Sequence, residues 1–369
     1  MRESLVATVM RKIVVMIAAV VALAGLVACE EQDSSAVKEQ KAHVEWKLVT
    51  SWPKGFPGLG YASDYFAEQV QRLSAGRMVI TVYGAGELVP SFDVFNAVSK
   101  GTVQMGHSAA YYWQDKIPAA PFFASIPFGM TAQEMNAWLH FGGGLELWQE
   151  LYEPYGVIPM AGGNTGAQMG GWFNTQINQV SDLKGLKMRL PGYGAEVLKR
   201  AGGIPVSLPG GELFTALETG AIDATEWVGP YNDLAFGLHN AAKYYYYPAW
   251  HEPGTNMEFL INKEAFASLP DDLKAIVTIA ARAANQNMLD EYTVRNVNAL
   301  NVLQHEHGVI LKAFPKPVLA HLRLMNTQVM TELSKQYPSV AKINDSYQRF
   351  LSSVREYGRV TDNADVNID

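Results

Sequence analysis

Leu186-Lys187-Met188-Arg189-Leu190-Pro191 opens a run that ends in Gly220-Ala221-Ile222-Asp223-Ala224-Thr225-Glu226-Trp227. Between them lie a helically patterned segment from Tyr193 to Ala201, Gly202-Gly203, the apolar run Ile204 to Leu208, and a second helical segment at Leu213, Phe214 and Leu217. Strand, helix, strand, helix, strand is the order of an α/β sheet. The same order occurs earlier. Trp46 to Trp52 predicts a first strand, Tyr61, Phe66, Val70 and Leu73 a helix, and Met78 to Tyr83 a second strand. Phe92, Val94, Phe95 and Val98 predict a helix that stops at Gly101, and Val103 to His107 a third strand. Gly101-Thr102-Val103-Gln104-Met105-Gly106 and Gly220-Ala221-Ile222-Asp223-Ala224 echo each other. Each is a helix ending in glycine, followed by a short strand that feeds polar and aromatic residues. Two similar α/β halves facing across a cleft would give this pattern.

Outward from these halves, Thr131-Ala132-Gln133-Glu134 predicts a capping box opening a helix to Phe141. A break at Gly142-Gly143-Gly144 precedes a helix from Leu145 to Tyr152, and Gly156 to Ala161 predicts a strand. Gly170 to Asn174 and Met257 to Asn262 predict further strands. Leu269-Pro270-Asp271-Asp272-Leu273 opens a long helix, and from Leu273 the helical pattern runs to about Gly308 without Pro or Gly inside. Such a length exceeds one globular face and predicts a helix bridging both halves. Further helices are expected over Val318 to Tyr337 and Tyr347 to Tyr357, with a frayed acidic tail over 361–369. The expected division is 45–165 with 253–295 as one domain and 166–252 with 296–360 as the other.

Length and composition agree with such a protein. A chain of 369 residues can bury two sizeable cores, and 48% hydrophobic with 18% charged residues is globular. A net charge of -7 without a basic stripe speaks against nucleic acid as partner. The amino terminus reads as an export signal. Arg11 and Lys12 precede a largely apolar run, Ile13 to Val27, too short to span a bilayer. It ends in Leu26-Val27-Ala28-Cys29, which looks like a lipobox over residues 1–29, with Cys29 as the lipidated residue. Cys29 is the chain's only cysteine and has no disulfide partner, which suits lipidation better than redox chemistry. Residues 30–44 have the composition of a flexible tether.

Several residues carry chemistry. Arg189 offers a planar fork that matches a carboxylate bidentately. Glu226-Trp227 sits at a strand's carboxyl end, where open α/β sheets bind ligands. Glu226 there can bind a cation, accept a hydroxyl or pair with Arg189. Gln168 adds an amide oxygen, and oxygen donors suit hard cations such as sodium or calcium. Tyr111-Tyr112-Trp113 follows the third strand and lies near the same cleft or in the core. Gly84-Ala85-Gly86 lacks the next glycine of a dinucleotide loop, and no phosphate loop occurs. No Gly-x-Ser-x-Gly elbow supports nucleophilic catalysis. Glu226, or His251 with Glu252, remains a possible general base of an extracytoplasmic enzyme. His305 and His307, two apart on a helix, do not share a face and make a poor chelate.

With these residues in view, the chain resembles the DctP-type extracytoplasmic solute-binding proteins of TRAP transporters. Leu186-Lys187-Met188-Arg189, Ala216 to Asp223 and Gly101 to Gly106 carry the likeness, which covers Trp46 to about Tyr337. Gln168, Glu226-Trp227 and the run from Tyr244 to Glu252 resemble the branch that binds 2-oxo acids or hydroxy acids, such as pyruvate or lactate, with a metal ion. The resemblance implies two α/β domains with a hinge and a long helix spanning both. It implies that Arg189 binds the ligand carboxylate. It assigns sodium or calcium to Gln168, the Glu226 side chain and the Trp227 carbonyl, with Glu252 nearby, and pocket walls to Trp52, Tyr111 and Trp113. It further implies no catalysis, TRAP membrane subunits as partners, and a homodimer exchanging the carboxyl-terminal helix. Many such receptors are freely secreted, whereas the lipobox implies an extracytoplasmic receptor tethered through Cys29.

Overall fold

The computed structural model describes residues 43–361. The expected export signal with Cys29, the tether up to residue 42 and the tail after residue 361 lie outside the described residues. The strands are β1 (Val44–Thr50), β2 (Met78–Tyr83), β3 (Met105–Ser108), β4 (Val157–Asn164), β5 (Gly171–Phe173), β6 (Lys187–Arg189), β7 (Ile204–Val206), β8 (Ala224–Thr225), β9 (Tyr244–Tyr247), β10 (Asn256–Asn262) and β11 (Ile310–Ala313). The helices are α1 (Leu59–Leu73), α2 (Val94–Ser99), α3 (Ala132–Phe141), α4 (Gly144–Tyr152), α5 (Gly192–Arg200), α6 (Leu213–Glu218), α7 (Pro230–Ala235), α8 (Lys263–Ala267), α9 (Asp271–His305), α10 (Lys316–Gln336) and α11 (Pro338–Thr361). Among the described residues no helix is long and apolar enough to cross a membrane.

The first sheet has the order β2-β1-β3-β10-β4. β1 shows why the sequence makes a strand here. Trp46 and Leu48 are buried while Glu45 and Lys47 are exposed, the period of two that a pleated strand requires. The strand begins at Val44, which pairs with Met78, so the last residue of the expected tether is already in the sheet. β1 runs parallel to β2 and β3, and β10 returns antiparallel between β3 and β4. The second sheet has the order β11-β9-β5-β8-β6-β7. The tyrosine run is β9, with Tyr245 and Tyr246 both buried because the strand lies between β5 and β11. β11 is an addition to the expected strands. It is four residues long and half exposed at the sheet edge, too short and too wet to show alternation.

The two glycines that echo in sequence do the same work. Gly101 and Gly220 both take positive φ, 69° and 72°, which side-chain-bearing residues rarely adopt. One turns the chain from α2 toward β3 and the other from α6 toward β8. Tyr111 and Tyr112 follow β3, and Glu226-Trp227 follow β8.

The long helix is present as α9, with 35 residues, about 52 Å at 1.5 Å per residue. Its first half buries Leu273, Val277, Ala280, Ala281 and Ala284 against α1 and β4. Its second half packs on α7, so one rigid element touches both sheets' surroundings. At the crossing, the Tyr292 hydroxyl donates to Asn232 Oδ1, and Asn232 Nδ2 donates to the Pro57 carbonyl at 2.7 Å. Beside this, Phe56 stacks on Phe236 with centroids 4.3 Å apart. The capping box is formed: Glu134 N–H donates to Thr131 Oγ1 and Thr131 N–H to Glu134 Oε2. α11 lies on α3 and α4, held by Met130 N–H to Tyr347 Oη at 2.6 Å and Trp138 Nε1 to Ser346 Oγ at 3.3 Å.

Candidate ligand and cation site

Arg189 ends β6 and Glu226 follows β8, and the two strands are adjacent and parallel. Glu226 N–H donates to the Arg189 carbonyl at 3.1 Å, so the backbone sets the two side chains side by side. Arg189 Nη1 then donates to Glu226 Oε2 at 2.8 Å and to the Glu226 carbonyl at 2.9 Å. Its Nε reaches the Leu208 carbonyl at 3.3 Å, and its Nη2 the Tyr112 hydroxyl at 3.4 Å. The Trp227 ring lies 5.2 Å from the guanidinium carbon, a cation–π contact. Both charges are shut from water, Arg189 at 2% and Glu226 at 0% exposure. A buried ion pair of this kind stabilises little, because desolvation offsets much of its attraction. It is a better sign of a site than of a staple.

Glu252 and His251 join the same chamber, both buried. Glu226, His251 and Glu252 offer ligand atoms within 4.8 Å of one another, the one such trio among the described residues. Gln168 Nε2 donates to Thr165 Oγ1 at 3.0 Å and Thr255 Oγ1 at 2.9 Å, and the Thr255 hydroxyl donates to Glu252. With its amide nitrogen so occupied, Gln168 keeps Oε1 buried and unpartnered, and Glu226 Oε1 is unpartnered too. Two dry acceptors without donors are costly unless something binds them. A hard cation fits those oxygens.

The electrostatics agree. Burial, then the neighbouring Glu252, pushes the Glu226 carboxyl well up from its ordinary range, and Arg189 pulls it down. Burial pushes Glu252 up to about 7, with the Thr255, Arg189 and Gln168 contacts opposing. His251 is pushed down to about 3 by burial and by Arg189, so its ring is neutral. Neither of its nitrogens has a partner, and Nε2 stands 4.0 Å from Glu226 Oε1. Tyr111 lies among the same charges, its hydroxyl pushed well up by burial and then by Glu252.

The sequence-expected residues divide into those that converge and one that is drawn elsewhere. Gln168, Arg189, Glu226, Trp227 and Glu252 gather around one chamber. Trp52 faces it from the first sheet's side, its ring 6.3 Å from Trp227 and 6.2 Å from Tyr112. Trp113 has its indole N–H on the buried Glu258 carboxylate, which also accepts from Tyr152 Oη at 3.0 Å. Tyr112, Thr165 and Thr255 are contributors that sequence reasoning did not single out. Tyr112 was flanked by two equally aromatic candidates, and a threonine hydroxyl leaves no pattern. His307 does not meet His305 at a metal; its ring lies 4.1 Å from His239.

Residues 48–336 match the family described as DctP, bacterial extracellular solute-binding protein, family 7. The chain belongs to that family. A periplasmic protein of Nostoc sp. described as binding monocarboxylate 2-oxoacids is 40% identical over 92% of this chain and 93% of its own. A TRAP periplasmic solute-binding protein of Colwellia psychrerythraea, solved with calcium and pyruvate, has a TM-score of 0.85 at 42% identity, over 87% of this solute-binding protein and 98% of its own chain. One from Pseudoalteromonas atlantica, solved with sodium and pyruvate, has the same TM-score and coverage at 43% identity. A third, from Bordetella bronchiseptica, is a mixed-occupancy dimer with calcium and picolinate, at 37% identity, TM-score 0.85, and 87% and 96% coverage. This solute-binding protein is therefore an extracytoplasmic TRAP-type receptor. A general-base role for Glu226 or His251-Glu252 finds no support, since the family and these relatives bind solutes rather than transform them.

Proposed function

We propose that this receptor binds a small monocarboxylate, a 2-oxo acid or hydroxy acid such as pyruvate or lactate, together with sodium or calcium. The observation that carries this is the pair of buried, unpartnered acceptors, Gln168 Oε1 and Glu226 Oε1, beside a buried guanidinium. Arg189 would exchange part of its hold on Glu226 for the ligand carboxylate. Gln168, Glu226 and the Trp227 carbonyl would take the cation, with Glu252 beside it. One guanidinium against two carboxyls leaves the chamber short of positive charge once a ligand carboxylate enters, and a cation supplies it. Trp52 and Tyr111 would form the apolar walls on the first lobe's side, whereas Trp113, expected with them, has its indole N–H on Glu258.

The rest of the reading concerns the lobes, the anchor and the assembly. The two sheets are the cores of lobes expected at 45–165 with 253–295 and at 166–252 with 296–360, closing by a hinge on the ligand. Lipidation at Cys29 would tether the receptor to the membrane near its transporter subunits. The carboxyl-terminal helix offers a surface for a homodimer, as one relative is a dimer. Calorimetry of pyruvate with and without calcium or sodium tests the central reading. Binding that is equally tight in the presence of a chelator and without sodium would exclude the cation.

A further inference from the structure

The loop that carries Glu226 and Trp227 is pinned by an acid outside the charged chamber. Asp233, on α7, is 1% exposed. Its Oδ2 accepts from the Trp172 indole N–H at 3.0 Å and from the Tyr245 hydroxyl at 2.7 Å. Those two rings, from β5 and β9, stack with centroids 4.0 Å apart. Its Oδ1 accepts from the Val228 N–H at 3.3 Å. The Val228 carbonyl in turn accepts from Met169 N–H at 3.0 Å, next to Gln168.

The Val228 N–H and the Trp227 carbonyl belong to one peptide unit. That unit is planar, and in the trans form its N–H and C=O point in opposite directions. Fixing the N–H on Asp233 therefore fixes where the carbonyl aims. A carboxylate acceptor also makes this a charge-assisted bond, which polarises the peptide and makes its oxygen a stronger donor to a cation. The neighbouring Glu226 carbonyl is already taken by Arg189 and Thr225. Among the described residues no hydrogen-bond donor reaches the Trp227 carbonyl.

We infer that Asp233 is a positioning residue for cation binding, aiming and polarising the Trp227 carbonyl through the Val228 N–H. The inference rests on the proposed role of that carbonyl as a cation ligand. Burial pushes the Asp233 carboxyl up to about 6, and its donors hold it down, so above that pH it acts as an anion.

Asp233→Asn is the informative variant. Its amide oxygen can still serve Trp172 and Tyr245, which leaves an NH2 facing the Val228 N–H, donor against donor. Tyr245→Phe is the control, since it removes a donor to the same acid without touching the peptide. The readout is the calcium concentration that half-saturates pyruvate binding. Asp233→Asn should raise it tenfold or more, while Tyr245→Phe should lower the melting temperature and shift it less than twofold. An unchanged calcium requirement in folded Asp233→Asn overturns the inference. Glu226→Gln separates the two levels. If it also leaves the calcium requirement unchanged, the cation reading itself fails; if it alone raises the requirement, only the role of Asp233 fails. Should Asp233→Asn not fold, the wild type with 13C-labelled tryptophan decides. The Trp227 carbonyl shift must move on adding calcium and pyruvate while Val228 N–H stays protected from exchange. An unmoved shift sinks the inference.

Discussion

At the residue scale, the site is organised around Arg189. Its fork is spread over Glu226, the Leu208 carbonyl and Tyr112. Arg189→Lys keeps the charge but loses the fork, so pyruvate affinity should fall tenfold or more, about 1.4 kcal/mol, as read by calorimetry. Arg189→Ala should abolish measurable binding, and unchanged affinity there would remove the pocket from this chamber. Glu258 makes a separate prediction, through contacts with Trp113 and Tyr152. Burial pushes its carboxyl up to about 8, while Trp113 and Tyr152 pull it down. A raised folded-state pKa means the stabilising form is the protonated one. Its contribution is complete below the unfolded value and declines as pH rises from there to about 8, by at most about 1.4 kcal/mol per pH unit. Glu258→Gln removes that proton equilibrium, so its urea stability should depend less on pH between 5 and 8 than the wild type's. Parallel slopes for the two proteins would show that Glu258 does not titrate there. The polar residues of the site were legible because Arg189 and Glu226 fall at strand ends, where open α/β sheets bind ligands, and because Gln168 and Glu226-Trp227 resemble the family's pattern. Asp233 was not, because a carboxylate in a loop-to-helix junction looks like any other until Trp172 and Tyr245 are seen to converge on it.

At the element scale, legibility followed length and punctuation. α9 could be read because no Pro or Gly interrupts it, and the glycine-ended helices before β3 and β8 because glycine marks a left-handed turn. β11 stayed hidden because four half-exposed residues at an edge carry no period. β9 was hidden too: Tyr245 and Tyr246 point to opposite faces and both are buried, which removes alternation and leaves an aromatic run that suits a helix or a strand. One connection between elements makes a test. Gly58 has φ 66° at the start of α1, and a Cβ there would overlap the Tyr292 ring of α9. Gly58→Ala should destabilise by about 1–3 kcal/mol through overpacking, with strain from the positive φ added, in chemical denaturation. Tyr292→Phe removes only the hydroxyl that holds Asn232, so it should leave the same packing intact and cost less. If the alanine variant is as stable as the wild type, α9 and the 53–58 loop are not packed as described.

At the scale of the molecule, the same junction makes a prediction about the proposed hinge closure. Pro57 and Phe56 come from the loop after β1, Asn232 and Phe236 from α7 and its end, and Tyr292 from the helix that touches both. None of these groups belongs to the charged chamber, yet Phe56 also packs edge-on to Trp227 at 6.5 Å. Removing the Phe56 ring should therefore act on closure more than on chemistry. When only a fraction of the protein is closed, apparent affinity falls by that fraction, while intrinsic affinity stays the same. Phe56→Ala should weaken pyruvate binding several-fold, mostly through faster release, and leave the preference between calcium and sodium as in the wild type. Small-angle scattering should find the unloaded variant more extended than the unloaded wild type, and the two alike at saturating calcium and pyruvate. A changed cation preference with an unchanged unloaded radius would place Phe56 in the site and not in the latch. The distinction matters for the receptor's task. A ligand held by an arginine and a cation is held tightly, and release to a membrane partner needs a contact that can be broken without touching either. The stack of Phe56 on Phe236 and the hydrogen bond from Asn232 to Pro57 are candidates for such contacts: both lie outside the chamber, and both join the 53–58 loop to α7 and its end.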